Sequence, residues 1–163
     1  MKTGIIIIFH NFETELDRQV YIDHFNNVKH VEVCLVNNNS QDKTLEHLLE
    51  ISESCKNVSV VNINKFKSDI NAIRAGARYL VNQFNLRELA YIDTHTFNSD
   101  KNKLNRALNI IFKNLPLVIH YKDQVSQQKK IKQSMFQTII SLLDCLKVFE
   151  KEGQNLALQG EVG

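Results

Sequence analysis

A chain of 163 residues that is 43% hydrophobic and 23% charged has the balance of one globular domain and buries about 70% of the surface it exposes when unfolded. A net charge of +2 without any long basic block excludes nucleic acid as an electrostatic partner. Cys34, Cys55 and Cys145 are scattered without a Cys-x-x-Cys pair, which excludes a disulfide framework and a structural zinc site.

The apolar opening at residues 5–9 is too short for a signal peptide and is followed by His10 and Asn11, with no small-residue cleavage site. No apolar run approaches the roughly 18 residues that a membrane span requires, so the cytoplasm is the expected location. Residues 5–9 are β-branched and continuously apolar, the pattern of a central parallel strand covered on both faces. A helix is predicted over 14–25 from Leu16, Val20, Tyr21 and Phe25, a spacing of three to four. A second strand at 31–36 is followed by a helix over 43–55, with Asp42 as its N-cap. The same reading gives a strand at 58–63, a helix over 70–84 and a strand at 89–92 that ends at Asp93. A helix over 101–113, a fifth strand at 117–121 behind the breaker Pro116 and one long helix over 124–150 complete the chain. Strand and helix alternate, which argues for an α/β three-layer sandwich with a mainly parallel sheet. The expected order is 3-2-1-4, with flanking helices and a long C-terminal helix.

The most informative stretch is Val36-Asn37-Asn38-Asn39-Ser40-Gln41-Asp42-Lys43-Thr44. An apolar strand stops in small polar residues at its carboxyl end, where open α/β sheets bind ligands. The wording resembles the Val-Asp-Asp/Asn-Gly/Asn-Ser-x-Asp-x-Thr element of the family 2 glycosyltransferases, inverting enzymes with a GT-A fold. In them it holds the base and ribose of a nucleotide-sugar donor. The resemblance implies that Asn37 and Asn38 receive the base through side-chain amides. Ser40, Asp42 and Thr44 keep the remainder of the pattern, and helix capping alone would also account for them.

Three further places carry the likeness. Ile8-Phe9-His10-Asn11 resembles the family's opening Pro-x-Tyr-Asn, with Asn11 matched, which implies a nucleotide contact at Phe9 and Asn11. Residues 64–78 resemble its Asn-x-Gly-x-x-x-Ala-x-Asn-x-Gly segment through Ala72, Arg74 and Gly76, while Ser68 replaces the first Gly. Arg74 there is suited to a diphosphate, because its guanidinium forks onto phosphate oxygens, and Lys65 and Lys67 stand nearby in sequence. Asp93-Thr94-His95 falls where the family carries the Asp-x-Asp that holds nucleotide and metal. It implies a divalent cation, Mn²⁺ or Mg²⁺, on Asp93 and His95; an imidazole ligand shifts preference away from the hard Mg²⁺.

The family reading makes 1–163 one domain, with a nucleotide-binding half over 1–97 and a short, helical acceptor side over 98–163. The implied activity is transfer of a sugar from a nucleoside-diphosphate sugar, with UDP expected, to an unidentified acceptor with inversion. Inversion calls for a general base, and none of Asp100, Asp123, Asp144, Glu150, Glu152 and Glu161 stands in a recognisable motif. The competing reading is an inactive module on the same fold, used in binding or assembly. The broad apolar coverage of 124–150, from Ile131 and Met135 through Phe136, Ile139, Leu142, Leu143 and Leu146, suggests packing against a second copy or a partner protein. Docking on a membrane surface through Lys129, Lys130 and Lys132 is the other option.

Overall fold

The computed structural model describes residues 1–97, 100–125, 131–132 and 138–162. Five parallel strands form the body of the sheet: β1 (Lys2–Phe9), β2 (Val31–Asn38), β3 (Val58–Ile63), β4 (Leu86–Asp93) and, further along the chain, β6 (Thr138–Ser141). The short β5 (Ile131–Lys132) pairs antiparallel with β6, and the order is β3-β2-β1-β4-β6-β5. The expected 3-2-1-4 order is thus present and extended by two strands.

The central strands are apolar throughout because helices cover both faces. On one face α3 (Asp69–Gln83) buries Ala72, Ile73, Ala77 and Leu80 against Ile6, Ile8, Cys34, Val36, Leu89 and Ile139. Its Gly76 permits close contact, since a Cβ there would lie 2.7 Å from Ile6 Cγ2 and 2.9 Å from Val36 Cγ2. The other face carries α1 (Arg18–Asn27), α2 (Thr44–Glu53), α4 (Lys101–Lys113), the short α5 (Leu115–Ile119) and α6 (Leu142–Val162) over a core that includes Ile5, Ile7, Phe9, Leu35 and Ile92.

Helix α1 starts at Arg18 and not at 14, because the Asp17 side chain accepts from the Val20 N–H and fixes the N-cap. Two expectations are corrected. Residues 117–121 are not a strand: Pro116 lies in the first turn of α5 and a 3-10 turn, His120–Gln124, follows. Proline initiates a helix there, since its missing N–H is one that a first turn leaves unbonded. Residues 124–150 are not one helix. Ile139 and Ile140 belong to β6, and the broad apolar coverage is the sum of a buried strand and the start of α6. Ile139, Leu142, Leu143 and Leu146 are all buried within the chain, which removes the motive for a partner over this segment. Lys132 is exposed on β5; Lys129, Lys130, Met135 and Phe136 lie outside the described residues. Among the described residues, no helix is long and apolar enough to cross a membrane.

Candidate functional site

Because β1, β2, β3, β4 and β6 run parallel, their carboxyl ends gather at one edge, and strand alternation sorts the residues there between two faces. Phe9 follows Ile5 and Ile7 onto the face of α1 and α2. Its ring is 1% exposed and packs edge-on against Phe12 and Tyr21, so it forms part of the core and not of the strand-end surface. Asn37 is buried beside it: its Nδ2 donates to Asn62 Oδ1 at 2.9 Å, while its Oδ1 has no donor among the described residues. Asn38, on the α3 face, is also buried. Its Nδ2 donates to the Lys67 carbonyl at 2.8 Å and its Oδ1 accepts from the Lys67 N–H at 3.0 Å, a two-point clasp on the loop that leads into α3.

The remaining polar residues of this element join two loops. Ser40 Oγ accepts from the Asn11 N–H at 2.9 Å, and Asn11 Oδ1 accepts from the Gln41 N–H at 2.7 Å. The buried Thr44 hydroxyl accepts from the Phe12 N–H at 2.7 Å and donates to Asp42 Oδ1 at 2.5 Å. Burial pulls the Asp42 carboxyl upward, but hydrogen bonds from Thr44 and Glu13 outweigh it and hold the group below its ordinary value. Asn11 and Asn39 both have positive φ, 50° and 53°, a backbone state that asparagine tolerates better than most residues. The Asn-Ser-x-Asp-x-Thr wording therefore fixes the shape of the strand-end surface.

His10 stands on that surface. Its Nδ1 donates to the Asn38 carbonyl at 2.7 Å and its Nε2 accepts from Asn11 Nδ2 at 3.2 Å. A carbonyl can only accept, so Nδ1 carries the hydrogen of the bond to Asn38. The imidazole meets the half-exposed ring of Phe66 edge-on at 4.8 Å and lies nearly parallel to His95 at 6.2 Å.

Asp93 closes β4, and the His95 N–H donates to its Oδ1 at 3.0 Å. Asp69 opens α3 behind the Ser68 N-cap. One ligand atom each from Asp69, Asp93 and His95 lies within 4.8 Å of the others. Burial, followed by a hydrogen bond with Asp69 and the charge of Asp69, raises the Asp93 carboxyl to about 6, against the opposing pull of the His95 N–H and of its charge. Two carboxylates this close share a proton or a cation. Two oxygens and an imidazole nitrogen make a donor set that fits Mn²⁺ and leaves positions for phosphate oxygens.

The neighbouring strand brings a third carboxylate. Ser141, the last residue of β6, is in register with Tyr91, and Asp144 lies in the first turn of α6 directly behind it. Burial raises the Tyr91 hydroxyl; its hydrogen bond with Ser141 acts against this, and the charges of Asp144 and Asp93 add to it. Tyr91 thus lies within the fields of both carboxylates. The Asp144 N–H is bonded to Ser141 Oγ at 3.3 Å, and Lys147 Nζ stands 3.8 Å from Asp144 Oδ1.

Arg74 is exposed on α3 and its Nη2 donates to the Lys132 carbonyl of β5 at 3.4 Å. The structure therefore brings Asp93 and His95 together, adds Asp69 and places Asp144 past the next strand. It commits Phe9 and Asn38 to packing and loop support. Sequence reasoning missed Asp69, whose only signal is the Ser68-Asp69 helix start, and it missed the Phe66 corner, which no periodicity marks.

A model of glycosyl transferase family 2 matches residues 4–157. Among solved structures, the chain is similar to S. aureus TarS (residues 1-349) at 20% identity and a TM-score of 0.44, over 71% of this chain and 33% of that one. TarS is also known in complexes with UDP and with UDP-GlcNAc. The mannosyltransferase PcManGT of Pyrobaculum calidifontis, in complex with GDP-Man and Mn²⁺, matches at 15% identity and a TM-score of 0.42, over 48% of this chain and 24% of that one. The chain thus spans a quarter to a third of these solved proteins. No curated protein matches it significantly.

Proposed function

The chain belongs to glycosyl transferase family 2, and from that premise we propose that it binds a nucleoside-diphosphate sugar, tested first as a UDP-sugar, and transfers the sugar to an acceptor hydroxyl with inversion. The observation that carries the proposal is the convergence of Asp69, Asp93 and His95 at the strand ends. These three residues would hold a divalent cation, whose chemistry is to neutralise charge developing on the departing diphosphate.

The chain's own groups take the other roles. His10 and Phe66 offer a stacking corner for the base, and Arg74 a guanidinium for the diphosphate. Asn37, buried and bonded to Asn62, supports the strand end, while Asn11, Ser40 and Asn38 hold the loops that carry these groups. Asp144 is the base: the acceptor oxygen bonds to the anomeric carbon, the bond from that carbon to the diphosphate oxygen breaks with its electron pair leaving on the diphosphate, and the acceptor proton passes to the Asp144 carboxylate. Attack from the side opposite the leaving group inverts the anomeric centre.

A ligand-dependent melting experiment tests the reading. Binding to the native state alone stabilises it by about 2.7 kcal/mol at a hundredfold excess over Kd, several degrees for a domain of this size. UDP with Mn²⁺ is expected to give that shift and UDP alone a smaller one. If neither UDP nor GDP moves the transition with Mn²⁺ or Mg²⁺, the transferase reading fails and the inactive assembly module takes its place.

A further inference from the structure

The ligand atoms of Asp69, Asp93 and His95 lie within 4.8 Å of one another, and two ionised carboxylates at that range push apart. Asp93 ends a strand and Asp69 starts a helix that emerges from a loop, so neither segment by itself keeps the pair together. The opposing force comes from hydrogen bonds across the strand ends, and these converge on two buried polar side chains.

Thr94, between Asp93 and His95, is 1% exposed, and its hydroxyl donates to the Ile8 carbonyl of β1 at 2.7 Å. Asn38, at the end of β2, is 2% exposed and spends its whole amide on Lys67: Nδ2 donates to the carbonyl and Oδ1 accepts from the N–H. Lys67 is followed by Ser68, whose side chain caps α3 by accepting from the Asn71 N–H. Fixing Lys67 thus fixes the first turn of α3, which carries Asp69. Between these anchors His10 Nδ1 donates to the Asn38 carbonyl at 2.7 Å and joins the end of β1 to that of β2. The bonds run from β4 through β1 and β2 to the start of α3, and each ligand-bearing segment is pinned within two residues of its ligand.

We infer that Asn38 and Thr94 are positioning residues of the cation site: Asn38 holds Asp69, and Thr94 holds the Asp93–His95 turn, at the spacing a divalent ion requires. The inference rests on the cation-dependent transferase reading and adds what sets the metal affinity. It also gives Asn38 a role other than receiving the base. Both halves of its amide are needed, because an ionised Asp keeps the bond from the Lys67 N–H but sets its second oxygen against the Lys67 carbonyl, acceptor against acceptor. At position 94 the hydroxyl is what counts: Val removes the donor to Ile8 and Ser keeps it.

The test is an electron paramagnetic resonance titration of Mn²⁺ at saturating UDP, at a temperature where every variant is folded, with UDP affinity measured separately without metal. Asn38→Ala, Asn38→Asp and Thr94→Val are expected to weaken Mn²⁺ at least about tenfold, to leave metal-free UDP affinity unchanged, and Thr94→Ser to retain native Mn²⁺ affinity. Asn57→Ala is the control, because its Nδ2 donates to the Phe25 and Val31 carbonyls, away from the strand-end cluster. It is expected to lower Tm comparably and to leave Mn²⁺ affinity unchanged. Native Mn²⁺ affinity in both Asn38 variants, or an equal loss in Asn57→Ala, overturns the inference. Weakened metal-free UDP binding in Asn38→Ala overturns it in favour of a base contact, and Thr94→Ser as impaired as Thr94→Val removes Thr94. Amide exchange in the native protein gives a check that needs no variant: the Lys67 N–H is expected to exchange as slowly as strand amides, and exchange at the rate of an open loop contradicts the clasp. Mn²⁺ binding that is lost in Asp69→Asn but indifferent to Asn38 removes only the positioning role. No Mn²⁺ binding by the native protein with UDP removes the cation reading and this inference with it.

Discussion

Replacing Asp93 by Asn should stabilise the protein while removing its function, and the size of the gain follows from the site. The carboxyl rises from its ordinary 3.8 to about 6 through burial and the Asp69 partner. One pKa unit corresponds to about 1.4 kcal/mol, so ionising Asp93 costs the empty native state at most about 3 kcal/mol at neutral pH. The group is only partly enclosed, and solvent screening reduces the expected figure to about 1 kcal/mol. Asn keeps the oxygen that accepts from the His95 N–H and supplies an N–H to Asp69 in place of the shared proton. Its expected effect at pH 7 is therefore a rise in Tm of about 2–4 °C.

The sign with pH is fixed by linkage. The folded carboxyl has the higher pKa, so between about pH 4 and pH 6 the native state binds more protons than the unfolded one and stability falls as pH rises. The gap between variant and native protein should thus open across that window, stay constant above it and vanish toward pH 4. Denaturant unfolding at pH 4, 5, 6 and 7 measures it. A destabilised Asp93→Asn at pH 7, or a gain independent of pH, would refute the like-charge account of the Asp69–Asp93 pair.

Further outcomes follow from the same geometry. Gly76→Ala brings a methyl to within 3 Å of Ile6 and Val36 and should cost about 1–3 kcal/mol, partly recovered when combined with Val36→Ala, as denaturant melts would report. Asn38→Ala removes both bonds to the Lys67 backbone and should cost about 2 kcal/mol; stability within 0.5 kcal/mol of the native protein, an approximate threshold for surface changes, would contradict the clasp. Asp144→Asn should keep the UDP–Mn²⁺ melting shift and lose sugar transfer in a product assay by about a hundredfold or more.

The fold was legible where local and global preferences agree. Residues 5–9, 31–36 and 58–63 are short apolar runs bounded by polar turns, and each is a parallel strand. The failures lie in 117–150. Pro116 starts a helix where a strand is expected behind a breaker, and Ile139-Ile140, flanked by further apolar residues, is indistinguishable from buried helix by periodicity. The same boundary moves Asp144 from the middle of an expected helix to the first turn of α6, just past a parallel strand. Asp93 and His95 could be found because they sit together in sequence at a strand end. Asp69 could not, because only the packing of α3 on β4 brings it within reach. Phe9 and Asn38 match the pattern in sequence; the structure buries Phe9 in the core and bonds Asn38 to the Lys67 backbone.

The central claim is that Asp69, Asp93 and His95 together form a divalent-cation site completed by a nucleotide. Electron paramagnetic resonance titration of Mn²⁺ in the presence of saturating UDP tests it most directly, with Asp69→Asn as the decisive variant, since no sequence pattern singles that residue out. The account predicts that Asp69→Asn weakens Mn²⁺ by about tenfold or more, as Asp93→Asn does. Mn²⁺ affinity at the native level in Asp69→Asn, with Asp93→Asn impaired, would contradict it.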